Sequence, residues 1–204
     1  MKFKRQIGAF NVVAHCPDDL EHQAQALLDK LAEINQQKSN LKDGTKVEFG
    51  WSILTLRGNE DELVVCEPYF SDDPFQNYLP VVDDTLRVIT EQIELLNRVG
   101  VEGVTASFQD KVVIAKGSLQ ANHIYLERKS PEANTHNSGW YIGEFTEDKP
   151  EQTDDNFEAI YVYQLLNQRP ALMPILALPP GYLVIVNEDI IEAIFNKDNQ
   201  NIWQ

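Results

Sequence analysis

Four histidines, two cysteines and several pairs of adjacent aspartates are the residues of this chain whose types could do chemistry. His15, His22, His123 and His136 are scattered without the spacing of a metal-ligand set. His15 and Cys16 are adjacent, so on a strand they point to opposite faces, which is poor for a shared ligand set. The pairs Asp72-Asp73, Asp83-Asp84 and Asp154-Asp155 could face a hard cation, but calcium takes ~6 to 8 oxygens at ordered spacings and no loop here reads D-x-D-x-D-G. Helix caps and solvated loops account for these pairs better. The chain has no G-x-S-x-G, H-E-x-x-H, Walker A or G-x-G-x-x-G pattern, and "AKGSL" at 115–119 lacks the upstream glycine of a phosphate loop. The expectation is therefore no catalytic residue, no metal and no cofactor. A site assembled from distant carboxylates and a histidine, as in a small-molecule hydrolase or accessory enzyme, stays open as the alternative.

The densest charge lies at "EFTEDKPEQTDDNFE", residues 144–158, where seven carboxylates stand against Lys149 alone. Such a run is either a solvated loop or a negative surface that steers a cationic protein, with Glu144, Glu147, Asp148, Asp154 and Asp155 as candidate partner-binding residues. The whole chain of 204 residues carries a net charge of -15, which repels nucleic acid phosphates and anionic lipid. No segment approaches the ~18 apolar residues of a membrane span, and Cys16 and Cys66 have neither CxxC nor regular spacing. Reduced thiols in a cytoplasmic protein are expected, with no nucleic acid or membrane partner.

Two tryptophans share a local context. Trp51 follows Gly50, Trp140 follows Ser138-Gly139, and both lead into runs of strand character. A tryptophan buries ~150 to 250 Å², so it anchors either a core or an interface, while glycine lets the backbone turn or approach closely. Ser138, Gly139 and Trp140 are expected to act as a structural motif.

These residues need elements to hold them. After a short strand-like start, Leu20, Ala24, Leu27, Leu28, Leu31 and Ile34 fall at helical spacing, and Asp18 with Glu21 resembles a capping box. "VEFGWSILTL" and "ELVVCEPYF" read as two strands of a hairpin joined by "RGNED". A second helix spans "DDTLRVITEQIELLNRVG", with Leu86, Ile89, Ile93 and Leu96 on one stripe, aspartates at its positive end and Gly100 just past its negative end. Short strands follow, "KVVIAK", "NHIYLER", "GWYIGEF" and "YLVIV", interrupted by a mixed stretch around "FEAIYVYQLLNQRPALMPIL". The order predicts an α+β fold, with N-terminal helices packed on an antiparallel sheet and then a small mixed strand-rich domain, the soft boundary lying near residue 110. The corresponding domains are 1–110, of unassigned role, and 111–204.

From Val112 to Ile114, through Tyr125 to Arg128 and Pro131, to Ser138-Gly139-Trp140, the chain resembles the immunity protein 33 domain family. In "ERKSP" the order of acid and base differs from that family's charged element. Downstream, an apolar segment, a proline and Leu178-Pro179-Pro180-Gly181 are similar to the family's closing pattern, so the resemblance covers about residues 111–187. It implies an antidote of a bacterial polymorphic toxin system: a non-catalytic protein that binds and neutralises a cognate toxin, here a basic one met by the acidic surface.

Overall fold

The computed structural model describes residues 1–38, 41–59, 61–131, 135–146 and 156–204. The chain divides into two compact units, Met1–Thr90 and Glu91–Gln204.

In the first unit the opening strand is a hairpin of two, β1 (Lys2–Ile7) and β2 (Phe10–His15), turning at Gly8 with φ +60. A short 3-10 turn at Asp18–Leu20 then leads into helix α1 (Glu21–Lys38). Asp18 sits inside that turn, which has no side-chain cap, so the expected Asp18–Glu21 capping box is replaced by tightening of the first turn. Leu20, Ala24, Leu27, Leu28 and Leu31 are buried on one face of α1 and its approach, and Ile34 packs against the same cluster. β3 (Lys46–Phe49), β4 (Ser52–Gly58) and β5 (Glu62–Pro68) follow, with β6 (Tyr78–Leu79) pairing β5. The segment expected as one strand across Gly50-Trp51 is thus two strands. Gly50 has φ +59, which glycine adopts without the Cβ penalty, and the chain reverses there. The sheet runs β1-β2-β5-β4-β3 and is mixed rather than antiparallel, because β2 and β5 pair in parallel after the crossover through α1 and the β3–β4 hairpin.

Trp51 is fully buried in this unit, stacked on Phe70 with ring centroids 4.5 Å apart, and its indole N–H donates to the Thr85 carbonyl at 3.3 Å. Beside it, helix α2 (Asp83–Val99) is capped from a distance: the buried Glu67 carboxyl accepts the N–H of Asp84 at 3.2 Å and of Thr85 at 2.8 Å. Burial nonetheless pushes the Glu67 carboxyl up to about 8 against those favourable donors. On α2, Thr85, Leu86, Val88, Gln92 and Leu95 are buried; of the expected stripe Leu86 is buried, Ile89 and Leu96 are half-buried, and Ile93 is 50% exposed. Apolar spacing alone missed the polar Gln92, whose side-chain N–H donates to the Met173 carbonyl at 3.2 Å.

The division between units falls inside α2, earlier than the boundary suggested near residue 110. Residues beyond α2 belong to the second unit because Val104 N–H bonds the Ala177 carbonyl at 2.8 Å and Ala106 and Phe108 are buried. That unit contains β7 (Lys111–Ala115), β8 (His123–Arg128), β9 (Asn137–Glu144), β10 (Phe157–Tyr161), β11 (Leu183–Asn187) and β12 (Ile190–Phe195). The mixed stretch resolves into β10, helix α3 (Val162–Gln168) and a 3-10 segment at Pro170–Ala177. The six strands run β10-β7-β9-β8-β11-β12, with β7 and β9 parallel and the other pairs antiparallel. Helices and two mixed sheets make the fold α+β.

Candidate partner-binding face

The period of two along β8 and β9 separates the second sheet into two faces. On one, Ile124, Leu126, Arg128, Ser138, Trp140 and Ile142 are buried, as are Val184 and Val186 of β11. On the other, Tyr125, Glu127 and Tyr141 are half-buried, with Leu183 and Ile185 of β11 and Phe157 of β10 in the same state.

The buried face holds the Ser-Gly-Trp motif, and each residue has a separate task. β9 is bulged against β7: Lys111 pairs Asn137, but Val113 pairs Tyr141. Ser138 fills the gap in the ladder, its hydroxyl donating to the Lys111 carbonyl at 2.7 Å and accepting the Trp140 N–H at 3.2 Å. Gly139 takes φ +78, and a Cβ there would lie 2.0 Å from the Lys129 carbonyl oxygen, so no other residue fits without moving the backbone. Its N–H is met by the Asn137 side chain at 2.9 Å. Trp140, 1% exposed, then enters the core and donates its indole N–H to the Leu176 carbonyl at 3.2 Å.

Arg128 lies beside it, with its guanidinium carbon 5.5 Å from the Trp140 ring centre. The guanidinium donates to the carbonyls of Ser138, Val104, Leu176 and Leu178. Burial lowers Arg128 to about 10, with the Asp110 carboxylate acting the other way, so it remains charged at neutral pH. The unusual acid and base order of "ERKSP" is thus resolved by carbonyl acceptors around a buried cation, since Arg128 binds main chain where an ion pair would bind a side chain.

The outer face carries a row of aromatic rings. Tyr125 and Tyr141 lie 5.7 Å apart, and Tyr141 meets Phe157 edge-on at 6.0 Å. Both tyrosines lean over Gly143, where a Cβ would fall within 2.9 Å of their ring carbons, so the glycine makes room for the rings. Burial, the neighbouring Tyr125 and the Glu127 carboxylate push the Tyr141 phenol up to about 12, which keeps it a neutral hydrogen-bonding group at all physiological pH values. Leu183 and Ile185 stand opposite Glu127 and Tyr125 across the β8–β11 ladder and extend the apolar area. At one end, His123 packs on Phe145 at 4.5 Å and meets Glu192 at 3.0 Å, and Asn187 donates to the same carboxylate at 3.0 Å.

Of the expected partner-binding residues, Glu144 ends β9 and is exposed; Glu147, Asp148, Asp154 and Asp155 lie outside the described residues. His136 lies 3.8 Å from Asp110, away from the His123–Glu192 pair, and His15 and His22 belong to the first unit. An open polar cleft of about 350 Å³, lined by residues including Asn122, Arg169, Glu188 and Asp189, contains neither His123 nor His136. Among the described residues no group of three His, Cys, Asp or Glu is placed to hold a metal. Cys16 and Cys66 are free and buried, and desolvation pushes both thiols up.

Sequence reasoning missed the Tyr125–Tyr141–Phe157 row. The signal was present in "HIYLER" and "GWYIGEF", where alternation puts each tyrosine on the face opposite Leu126 and Trp140.

Residues 91–197, more than half of the chain, match the Imm33-like domain. The chain belongs to the Imm33-like family. The match covers most of the second unit, so both faces of its sheet are features of an Imm33-like domain, a domain named for immunity proteins. No curated protein and no solved structure matches the chain. Among the described residues no helix is long and apolar enough to cross a membrane.

Proposed function

We propose that this protein is a non-catalytic immunity protein of the cytoplasm that binds a basic cognate toxin and blocks it, with the outer face of the second sheet as the contact surface. The observation that carries this reading is the half-buried row Tyr125, Tyr141 and Phe157 flanked by Glu127, in a member of the Imm33-like family. Aromatic side chains supply large, rigid contact area at small entropy cost, and partner-binding energy concentrates on such residues. The acidic run at 144–158 steers the approach of a cationic partner, with Glu144, Glu147, Asp148, Asp154 and Asp155 raising the association rate.

The test begins with the tagged protein purified from its native cells and the identification of what co-purifies stoichiometrically. That partner, expressed alone, should arrest growth, and co-expression of this protein should restore it. Changing Glu147, Asp148, Asp154 and Asp155 to Asn or Gln should slow association roughly tenfold at low salt and leave dissociation nearly unchanged. A partner that is harmless by itself, or protection that needs a catalytic turnover of the partner, contradicts the reading.

A further inference from the structure

The strands of the second sheet end at two edges, and they are treated differently. Along β12 the C-terminal residues fold back: Ile202 N–H bonds the Ile194 carbonyl at 2.8 Å and Phe195 bridges Asn201. A register shift in the β11–β12 ladder breaks that edge further. At the other edge, among the described residues, no strand pairs with the outer side of β10. The edge strand β1 of the first sheet carries Lys2, Lys4 and Arg5, the residues that discourage strand addition, whereas "FEAIY" of β10 has no lysine, arginine or proline.

The direction of the β10 backbone groups follows from its flanks. Lys116 N–H donates to the Asn156 carbonyl at 2.9 Å, and Val162 N–H donates to the Asp110 carbonyl at 2.9 Å. Antiparallel alternation therefore turns the main-chain groups of Glu158 and Ile160 toward β7 and those of Phe157, Ala159 and Tyr161 outward. The Tyr161 N–H is already taken by the Gln164 side chain at 2.8 Å, which leaves the outward groups of Phe157 and Ala159 as the docking positions. The side chains of Phe157, Ala159 and Tyr161 lie on the outer face, in register with Ala115, Val113 and Lys111.

We propose, resting on the toxin-binding reading above, that β10 is a strand-docking edge that accepts an extended, cationic segment of the partner protein as a seventh strand. Its backbone would bond Phe157 and Ala159, its apolar side chains would continue the aromatic row, and a basic side chain would meet the exposed Glu158. Charge decides the occupant. Residues 91–204 hold seventeen Asp and Glu against eight Lys and Arg, and of those cations Arg128 and Arg169 are buried while Lys111 lies over the Tyr161 ring. A second copy of the chain would bring the same net charge of -15 to an edge of five residues, too small a contact to offset the repulsion.

A labelled nine-residue peptide alternating Lys or Arg with Val or Tyr is the probe, compared with its Glu-for-Lys/Arg analogue and with two N-methylated forms that block alternate sets of amides. The proposal expects binding of the basic peptide with slowed hydrogen exchange at Phe157 and Ala159, and at least tenfold weaker binding when one set of amides is methylated but not the other. Proline is tolerated on an edge strand whose N–H faces outward, so Ala159→Pro should fold and should lose the peptide. Glu158→Lys, an exposed change that leaves the fold alone, should weaken it by a similar factor. Binding indifferent to both methylated forms, or a dimer in sedimentation whose β10 amides are protected without peptide, overturns the proposal. So does a captured toxin that binds Ala159→Pro and Glu158→Lys at full affinity, and that result leaves the toxin-binding reading standing. A captured protein that is harmless to cells overturns that reading instead, whatever the peptide does.

Discussion

Along β8 and β9, neighbouring residues live in different surroundings. Leu126, Arg128, Trp140 and Ile142 are buried, and every polar group the motif brings inside has a partner there: the indole N–H, the Ser138 hydroxyl and the guanidinium all end on carbonyls. Tyr125, Glu127 and Tyr141, one residue away, share their face with Leu183, Ile185 and Phe157 and remain half-buried. One face has used its large side chains to fix the fold. The other holds aromatic rings in a set arrangement without burying them fully, which is the condition of a surface still able to gain by contact.

The buried face is most sensitive at Trp140. Trp140→Ala should cost about 3 to 5 kcal/mol, because it empties a fully buried indole site and removes one of the donors to the Leu176 carbonyl. Equilibrium denaturation measures it, and a loss under about 1 kcal/mol would remove Trp140 from the core argument.

A pH series separates two of the buried ionisable groups, Glu67 and Arg128. Glu67 in the first unit has its carboxyl raised to about 8, so between its unfolded value of 4.5 and about 8 the folded state holds a proton that the unfolded state has lost. Stability therefore falls as pH rises through this window, by an amount on the order of a few kcal/mol. Arg128, lowered only to about 10, binds its proton in both states over the same range and contributes no slope. Denaturation from pH 5 to 8 should show the decline, and Glu67→Gln should flatten it. An unchanged slope in that variant would place the proton elsewhere.

Gly139→Ala comes next. A Cβ 2.0 Å from the Lys129 oxygen, at φ +78, must move backbone, and the cost should be about 2 kcal/mol or more. The same change at Gly117, which also has positive φ but nothing within 4 Å, should cost only about 1 to 2 kcal/mol. Equal costs at the two sites, measured by denaturation, would mean that the close approach at Gly139 adds nothing.

Much of this was legible in the sequence. Leucine spacing located α1, the aspartates and Gly100 bounded α2, and Ser138-Gly139-Trp140 stood out before its geometry was known. The stripe of α2 held at Leu86 and failed at Ile93, because a buried Gln92 is silent in a pattern made of apolar residues. The turn at Gly50-Trp51 was hidden by strand formers on both sides, and only a positive φ distinguishes it. Carbonyl acceptors around Arg128 come from three segments distant in sequence, at 104, 138 and 176–178, so no local motif could announce them. The aromatic row was missed because the two tyrosines and Phe157 become neighbours only when the order β10-β7-β9-β8 is known.

On the outer face the smallest change in stability should bring the largest change in binding. Tyr141→Ala removes the central ring of the row at a stability cost of about 1 kcal/mol, since the side chain is half-buried and its partners lie on the same face. Calorimetric titration of this variant with the toxin that co-purifies with the wild type is the decisive measurement. Affinity weakened tenfold or more, in a protein whose denaturation midpoint has hardly moved, is the predicted result. Wild-type affinity in the folded variant would contradict it and place the contact surface on another part of the molecule.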